Sequence, residues 1–152
     1  MRTVRQLLES KGSEVFSIGP DAAVIDAIRL MAEKGIGALV VLEPGGRLAG
    51  IVSERDYARK IVLEGRSSRD TPVRDIMTAD AVTVGLDDDA PACMQLVTER
   101  RIRHLPVVVD GKLVGLVSIG DLVKAVIEEQ QFELEHLQRY IKSEPAVGHR
   151  AP

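Results

Sequence analysis

The feature that most constrains this chain is an internal repeat. Residues 36–56 read IGALVVLEPGGRLAGIVSERD, and residues 102–121 read IRHLPVVVDGKLVGLVSIGD. One extra residue in the first turn brings the two into register. Ile36 then matches Ile102, Leu39 matches Leu105, Val41 matches Val107 and Gly50 matches Gly115. Ser53 matches Ser118, and Asp56 matches Asp121. Upstream, Val24, Ala27, Ile28 and Met31 are spaced as one apolar face of a helix. Ala90, Cys93, Met94 and Val97 repeat that spacing 66 residues later. Phe16-Ser17-Ile18 corresponds to Val82-Thr83-Val84 as a short strand. Val4-Arg5-Gln6-Leu7-Leu8 resembles Val73-Arg74-Asp75-Ile76-Met77 at the head of each copy.

Each copy therefore reads strand, helix, strand, turn, strand, helix. Residues 39–42 and 105–109 are β-rich runs, and 48–52 and 113–117 are the return strands. Asp110-Gly111 suits a two-residue type I′ turn, and residues 43–46 form the longer turn of the first copy. A copy of about 60 residues buries too little surface to be stable alone. The expected fold is α/β (α+β): two β-α-β-β-α repeats packed about a pseudo-twofold axis around one shared core. The expected division is a first motif over 1–65, a polar linker over 66–72 and a second motif over 73–127. A helical extension over 128–142 and a disordered tail over 143–152 follow. The last helix runs to about Ile141, with Val123, Val126, Ile127, Leu134, Leu137 and Ile141 as its apolar positions. Packing on a partner chain and folding back on its own domain both remain open for it.

Composition narrows the classes. The chain has 152 residues and a net charge of −3, with no Trp, two Tyr and two Phe. That balance gives no bulk attraction to nucleic acid and little material for base stacking. No apolar run reaches the roughly 20 residues of a membrane helix. Residues 1–10 lack the apolar stretch of a signal peptide, and one cysteine forms no internal disulfide, so the expected compartment is the cytoplasm. Three His and one Cys are thin resources for a metal site, and none is expected.

The sharpest chemical feature is Ser53-Glu54-Arg55-Asp56 and its twin Ser118-Ile119-Gly120-Asp121, each where a strand gives way to a helix. One reading is a helix-capping box that needs no ligand. The other is a nucleoside clamp. A carboxylate is a two-oxygen acceptor to which the vicinal hydroxyls of a ribose can each donate. The two are compatible, since Ser can cap while Asp binds.

The pattern Ile-x-x-Leu-Pro-Val-Val, Gly-Lys-Leu-Val-Gly-Leu-Val-Ser-x-x-Asp resembles a CBS motif (the cystathionine β-synthase domain), and two in tandem resemble a CBS pair, or Bateman module, over about residues 3–127. The resemblance implies two adenosyl sites across a pseudo-twofold cleft, with AMP, ADP, ATP, S-adenosylmethionine or NAD as ligand and AMP foremost. It assigns ribose binding to Asp56 and Asp121. One implied site combines Asp121, Leu116, Ser118 and Gly120 with Phe16, Ile18, Ile36 and Gly37. The other combines Asp56, Ile51, Ser53 and Arg55 with Val82, Val84, Ile102 and Arg103. Arg103 and His104 resemble, in reversed order, the His-Arg pair that handles phosphate in the nucleotide-sensing subunit of AMP-activated protein kinase. The function implied is a ligand-sensing regulatory module, a homodimer through residues 58–63 and 122–127, acting on an unknown protein partner. The alternative is a structural or interaction module with vestigial nucleotide sites.

Other residues carry less. Cys93 aligns with Ala27 on the apolar helix face and reads as a core thiol. Asp87-Asp88-Asp89 reads as a cap for the helix starting near Ala90. His136 and His149 have no second ligand in sight. There is no phosphate-binding G-x-x-x-x-G-K-[ST] loop and no nucleophile elbow around Ser118, and no enzyme activity is expected.

Overall fold

The structure is a computed structural model and describes residues 1–143. Of the tail expected over 143–152, only Ser143 lies among the described residues, as the last residue of a helix; His149 lies outside them. The elements are α1 (Val4–Lys11), β1 (Ser17–Ile18), α2 (Val24–Lys34), β2 (Ala38–Leu42), β3 (Leu48–Ser53) and α3 (Glu54–Tyr57). A π-helical turn, Ala58–Val62, and a 3₁₀ turn, Val73–Asp75, follow. The second half contains α4 (Ala90–Arg100), β4 (His104–Val109), β5 (Lys112–Ser118) and α5 (Ile119–Ser143).

The mixed α/β fold of two related units is as expected. In the first unit β2 pairs parallel with β1 and antiparallel with β3. In the second, β4 pairs antiparallel with β5, and Val84 alone of the expected strand 82–84 bridges to Val107. Both hairpins shift register at the same place, Val41/Leu42 and Val107/Val108. Asp110 and Gly111 have φ of 53° and 79°, the two positive values that a type I′ turn requires. Asp89 caps α4 by accepting from the Ala92 N–H at 2.8 Å.

One expectation fails: the units do not share one core. There are two clusters. One holds Val24, Ala27, Met31, Leu39, Val41, Val52 and Ile61; the other holds Val84, Cys93, Val97, Leu105, Val107, Val117 and Leu122. The physical reason lies in the heads. Val4, Leu7 and Leu8 complete the second cluster, and Val73 and Ile76 complete the first. Each head thus caps the sheet of the other copy. Backbone bonds repeat the exchange symmetrically. Val73 N–H donates to Ala22 O and Val4 N–H to Asp88 O, both at 2.8 Å. Val24 N–H donates to Thr71 O at 2.9 Å and Ala90 N–H to Arg2 O at 2.8 Å.

The crossing points are the matched glycines. A Cβ on Gly50 would lie 2.5 Å from the Thr78 carbonyl oxygen. A Cβ on Gly115 would lie 2.7 Å from a Leu8 methyl. Glycine is present because another segment passes where a side chain would stand.

Candidate functional site

β3 ends on Ser53, whose extended backbone (φ −130°, ψ 166°) makes it the N-cap of α3. The Asp56 N–H donates to Ser53 Oγ at 3.2 Å, and Ser53 N–H donates to Asp56 Oδ2 at 2.9 Å. The Ser53 hydroxyl also donates to Oδ2, at 3.1 Å. Lys60 Nζ stands 3.3 Å from Asp56 Oδ1 and donates to Ile76 O at 2.9 Å. The same box forms at Ser118, where Asp121 N–H donates to Ser118 Oγ at 3.1 Å and Ser118 N–H to Asp121 Oδ2 at 2.8 Å. Both Ser-x-x-Asp motifs are therefore caps, whatever else they do.

Their surroundings differ. Asp56 lines a cavity of about 560 Å³ that draws on both copies. From the first copy come Gly37, Ala38, Ile51, Ser53, Glu54, Arg55 and Arg59. Thr78, Asp80, Ala81 and Val82 come from the stretch after the second head, and Arg101, Ile102, Arg103 and His104 from the second copy. None of Arg55, Arg59, Arg101 and Arg103 makes an ion pair or side-chain hydrogen bond among the described residues. Four unengaged guanidiniums in one cavity are suited to a polyanion, since Arg presents a planar fork of donors that matches phosphate. Burial, and next Arg103, push the His104 imidazole below its usual value.

Asp121 instead borders a pocket of about 90 Å³ between α1 and α5. Lys11 Nζ lies 2.5 Å from Asp121 Oδ2 and donates to Leu116 O at 2.9 Å. Burial alone would raise the Asp121 carboxyl, but the Lys11 ammonium and the Ser118 N–H outweigh it and hold the carboxyl below the usual range.

The structure brings most of one expected set together. Ile51, Ser53, Arg55, Asp56, Val82, Ile102 and Arg103 all line the large cavity, and His104, expected only as a phosphate contact, lines it with them. Val84 does not, being buried in the second core. Of the Asp121 set, Gly37 lines the large cavity and Asp121 alone lines the small pocket. Leu116 pairs with Pro106, Ser118 caps α5, and Gly120 lies in the first turn of that helix. Phe16, Ile18 and Ile36 pack against the first core, with Lys34 Nζ 5.1 Å above the Phe16 ring.

Residues 4–63 and 73–128 match the model of the CBS domain. The chain belongs to the CBS-domain family. It is 44% identical over 148 residues to the CBS domain-containing protein CBSX3, mitochondrial, of Arabidopsis thaliana, spanning 92% of this chain and 72% of that protein. It is similar to the solved structure of a protein with CBS domains from Burkholderia ambifaria MC40-6, at 54% identity and a TM-score of 0.79, over 84% of this chain and 96% of that one. It is also similar to CBSX2 solved in complex with AMP, at 26% identity and a TM-score of 0.72, over 86% of this chain and 99% of that one. CBS-domain proteins are in general regulatory rather than catalytic, and the two tandem CBS motifs point to no enzyme family. No helix among the described residues is long and apolar enough to cross a membrane.

Sequence reasoning missed several residues of the CBS-pair cavity: Glu54, Arg59, Thr78, Asp80, Ala81 and Arg101. One of them had a signal. Arg101 ends α4 at φ 55°, where its twin Gly35 in the first CBS motif has φ 66°. A left-handed backbone costs a non-glycine residue roughly 1–2 kcal/mol. An arginine held there at a cavity wall departs from the repeat at a point where the backbone favours glycine. Lys11 had none, because nothing local ties it to Asp121.

Proposed function

We propose that this CBS pair binds an adenine nucleotide, AMP foremost, in the Asp56 cavity and relays its presence to another protein. The observation that carries the reading is the cavity itself. A capped carboxylate and four unengaged arginines share one space between the two CBS motifs. The carboxylate suits ribose hydroxyls, the arginines suit phosphate, and Ile51, Val82 and Ile102 offer apolar walls for a base. Binding of AMP by CBSX2 supports the same ligand class. ADP, ATP and NAD carry the same groups and compete with AMP in the proposal; S-adenosylmethionine, which has no phosphate, leaves the arginines unused.

A ligand here touches both CBS motifs and the stretch that follows the exchanged second head. It therefore favours whichever arrangement of the two units closes on it, by no more than its difference in affinity between the two states. The proposed working unit is a homodimer. Leu122 and Ala125 are turned into the core, so the faces left for a partner are Val62, Leu63, Val123 and Ile127. A cytoplasmic setting belongs to the same proposal, beside the mitochondrial one in the name of the A. thaliana relative.

A second reading is favoured by the Asp121 geometry. Both carboxylates have a lysine neighbour, but Lys11 lies on Asp121 in a pocket of only about 90 Å³, while Lys60 leaves Asp56 on a cavity of about 560 Å³, so the Asp121 motif serves as a cap and takes no nucleotide. The proposal is thus one filled site per chain. The test is a titration of AMP, ADP, ATP and NAD by calorimetry, with thermal shift alongside. Ligand at a hundred times its dissociation constant adds about 2.7 kcal/mol to stability. A stoichiometry of one, lost in Asp56→Asn and kept in Asp121→Asn, is expected. No heat and no shift with any nucleotide would sink the sensor reading and leave an interaction module.

A further inference from the structure

α2 and α4 end in the same way on different residues. Ile36 N–H donates to Met31 O at 3.0 Å, and Ile102 N–H donates to Val97 O at 3.1 Å. Bonds that reach back five residues belong to a Schellman cap, which carries one residue into the left-handed region. In α2 that residue is Gly35, at φ 66° and ψ 36°. In α4 it is Arg101, at φ 55° and ψ 44°. Backbone groups alone close the cap, so the arginine side chain takes no part in it.

One other non-glycine residue among the described residues has a positive φ, and the type I′ turn explains it: Asp110. Nothing in the fold explains Arg101 in the same way. Glycine would hold the cap without the steric penalty that a Cβ meets there. The helix end does not need the charge either. Arg100 already stands in the last turn of α4, as Lys34 does in that of α2. What sets Arg101 apart is its place. It is exposed, lines the Asp56 cavity, and makes no ion pair or side-chain hydrogen bond among the described residues. Backbone strain of this kind gathers at ligand sites, where the surroundings impose it.

We propose that Arg101 stands in place of glycine to bind the phosphate of the nucleotide, so that it sets the preference for AMP over adenosine while lowering the stability of the fold. The inference rests on the nucleotide reading above. It adds that one residue of the cavity works against the fold that carries it. A guanidinium fork matches phosphate oxygens, and adenosine lacks them.

The test uses two substitutions that the left-handed region accepts, Arg101→Gly and Arg101→Asn, beside Arg101→Lys, which keeps the charge and the Cβ. Each is melted without ligand and titrated by calorimetry with AMP and with adenosine. Stability and affinity are expected to move in opposite directions. Arg101→Gly melts about 2–4 °C above wild type. Its affinity for AMP falls about tenfold or more, and its affinity for adenosine stays within about twofold. Arg101→Asn moves the same way in both, with a smaller rise in melting. Arg101→Lys regains part of the AMP affinity and none of the melting rise. Unchanged AMP affinity in the glycine and asparagine variants overturns the inference. So does a lower midpoint in both, which would make Arg101 a cation for the end of α4. Equal losses for AMP and adenosine overturn the phosphate role. Each of these results leaves the nucleotide reading standing, whereas a wild type that binds no AMP overturns both.

Discussion

Asp56 and Asp121 occupy the same position in two copies of one motif and end in different chemistry. The local geometry is alike to within a few tenths of an ångström: each accepts the backbone N–H of its own serine, at 2.9 and 2.8 Å. Part of what differs arrives from far along the chain. Matched from the heads, Lys11 and Asp80 are counterparts. The first head brings a cation onto Asp121, and the stretch after the second brings a carboxylate to the wall of the Asp56 cavity. The two sites have diverged through the exchanged segments and also locally, where Glu54, Arg55 and Lys60 of the first copy stand against Ile119, Gly120 and Ala125 of the second.

The strongest way to break this comparison is at the two crossing glycines. Gly50→Ala drives a Cβ into the Thr78 carbonyl oxygen, which accepts from Ile51 N–H while Thr78 N–H donates to Ile51 O. Gly115→Ala meets only the flexible end of Leu8. Overpacking of this kind costs about 1–3 kcal/mol, and rigid neighbours place it at the upper end. Urea titration is expected to show a loss near 3 kcal/mol for Gly50→Ala and about 1 kcal/mol for Gly115→Ala. Equal losses would mean that the two heads are held equally loosely.

The second effect sharpens the chemistry. Hydrogen bonds to a charged partner contribute about 1.5–3 kcal/mol, so Asp56→Asn weakens AMP about tenfold or more while still capping α3. Asp121→Asn leaves the affinity within about twofold. Calorimetry on the two variants decides it, and equal losses would restore two equivalent sites.

Most of this fold was legible because it is periodic. Apolar spacing located α2 and α4, Asp110-Gly111 its turn, and Asp89 its cap, each decided by residues within a few positions of one another. Seven of the eight residues expected in the Asp56 set, Asp56 included, do line its cavity. The exchange of heads was not legible. Val4-Leu7-Leu8 and Val73-Ile76 show an apolar face, but a face does not say which sheet it covers. Everything the heads carry was hidden with them, including Lys11 and Asp80. Arg59 was hidden for another reason: a surface arginine and a cavity arginine look the same until the opposite wall is known.

Lys11 gives the third test. Its side chain is 36% exposed, so its ion pair with Asp121 is partly screened and is worth under about 1 kcal/mol. Lys11→Met is therefore expected to cost little stability. It removes the cation from Asp121 Oδ2, which keeps its Ser118 N–H bond, and uncovers the Leu116 carbonyl, and the number of AMP bound per chain rises from one towards two. A stoichiometry that stays at one would mean that Lys11 is not what distinguishes the second motif.

The smallest effect separates the copies by pH. His104 stands in β4 opposite Ser118, where the first copy has Ala38 opposite Ser53. Burial, then Arg103, lower its pKa from 6.5, with Asp121 pulling the other way. Below that value the unfolded chain binds a proton that the folded chain refuses, so stability falls as pH drops through the window just under 6.5. Asp121 acts lower down. Its folded pKa lies below 3.8, so its contribution is complete above that value and is lost as pH falls beneath it. Denaturant titrations of wild type and His104→Gln from about pH 7 down to about pH 3 read both windows, the first of them above about pH 5. The substitution flattens the slope there and leaves the acid limb unchanged. A slope that survives it would place the proton uptake elsewhere, and with it the claim that the second motif alone responds to mild acid.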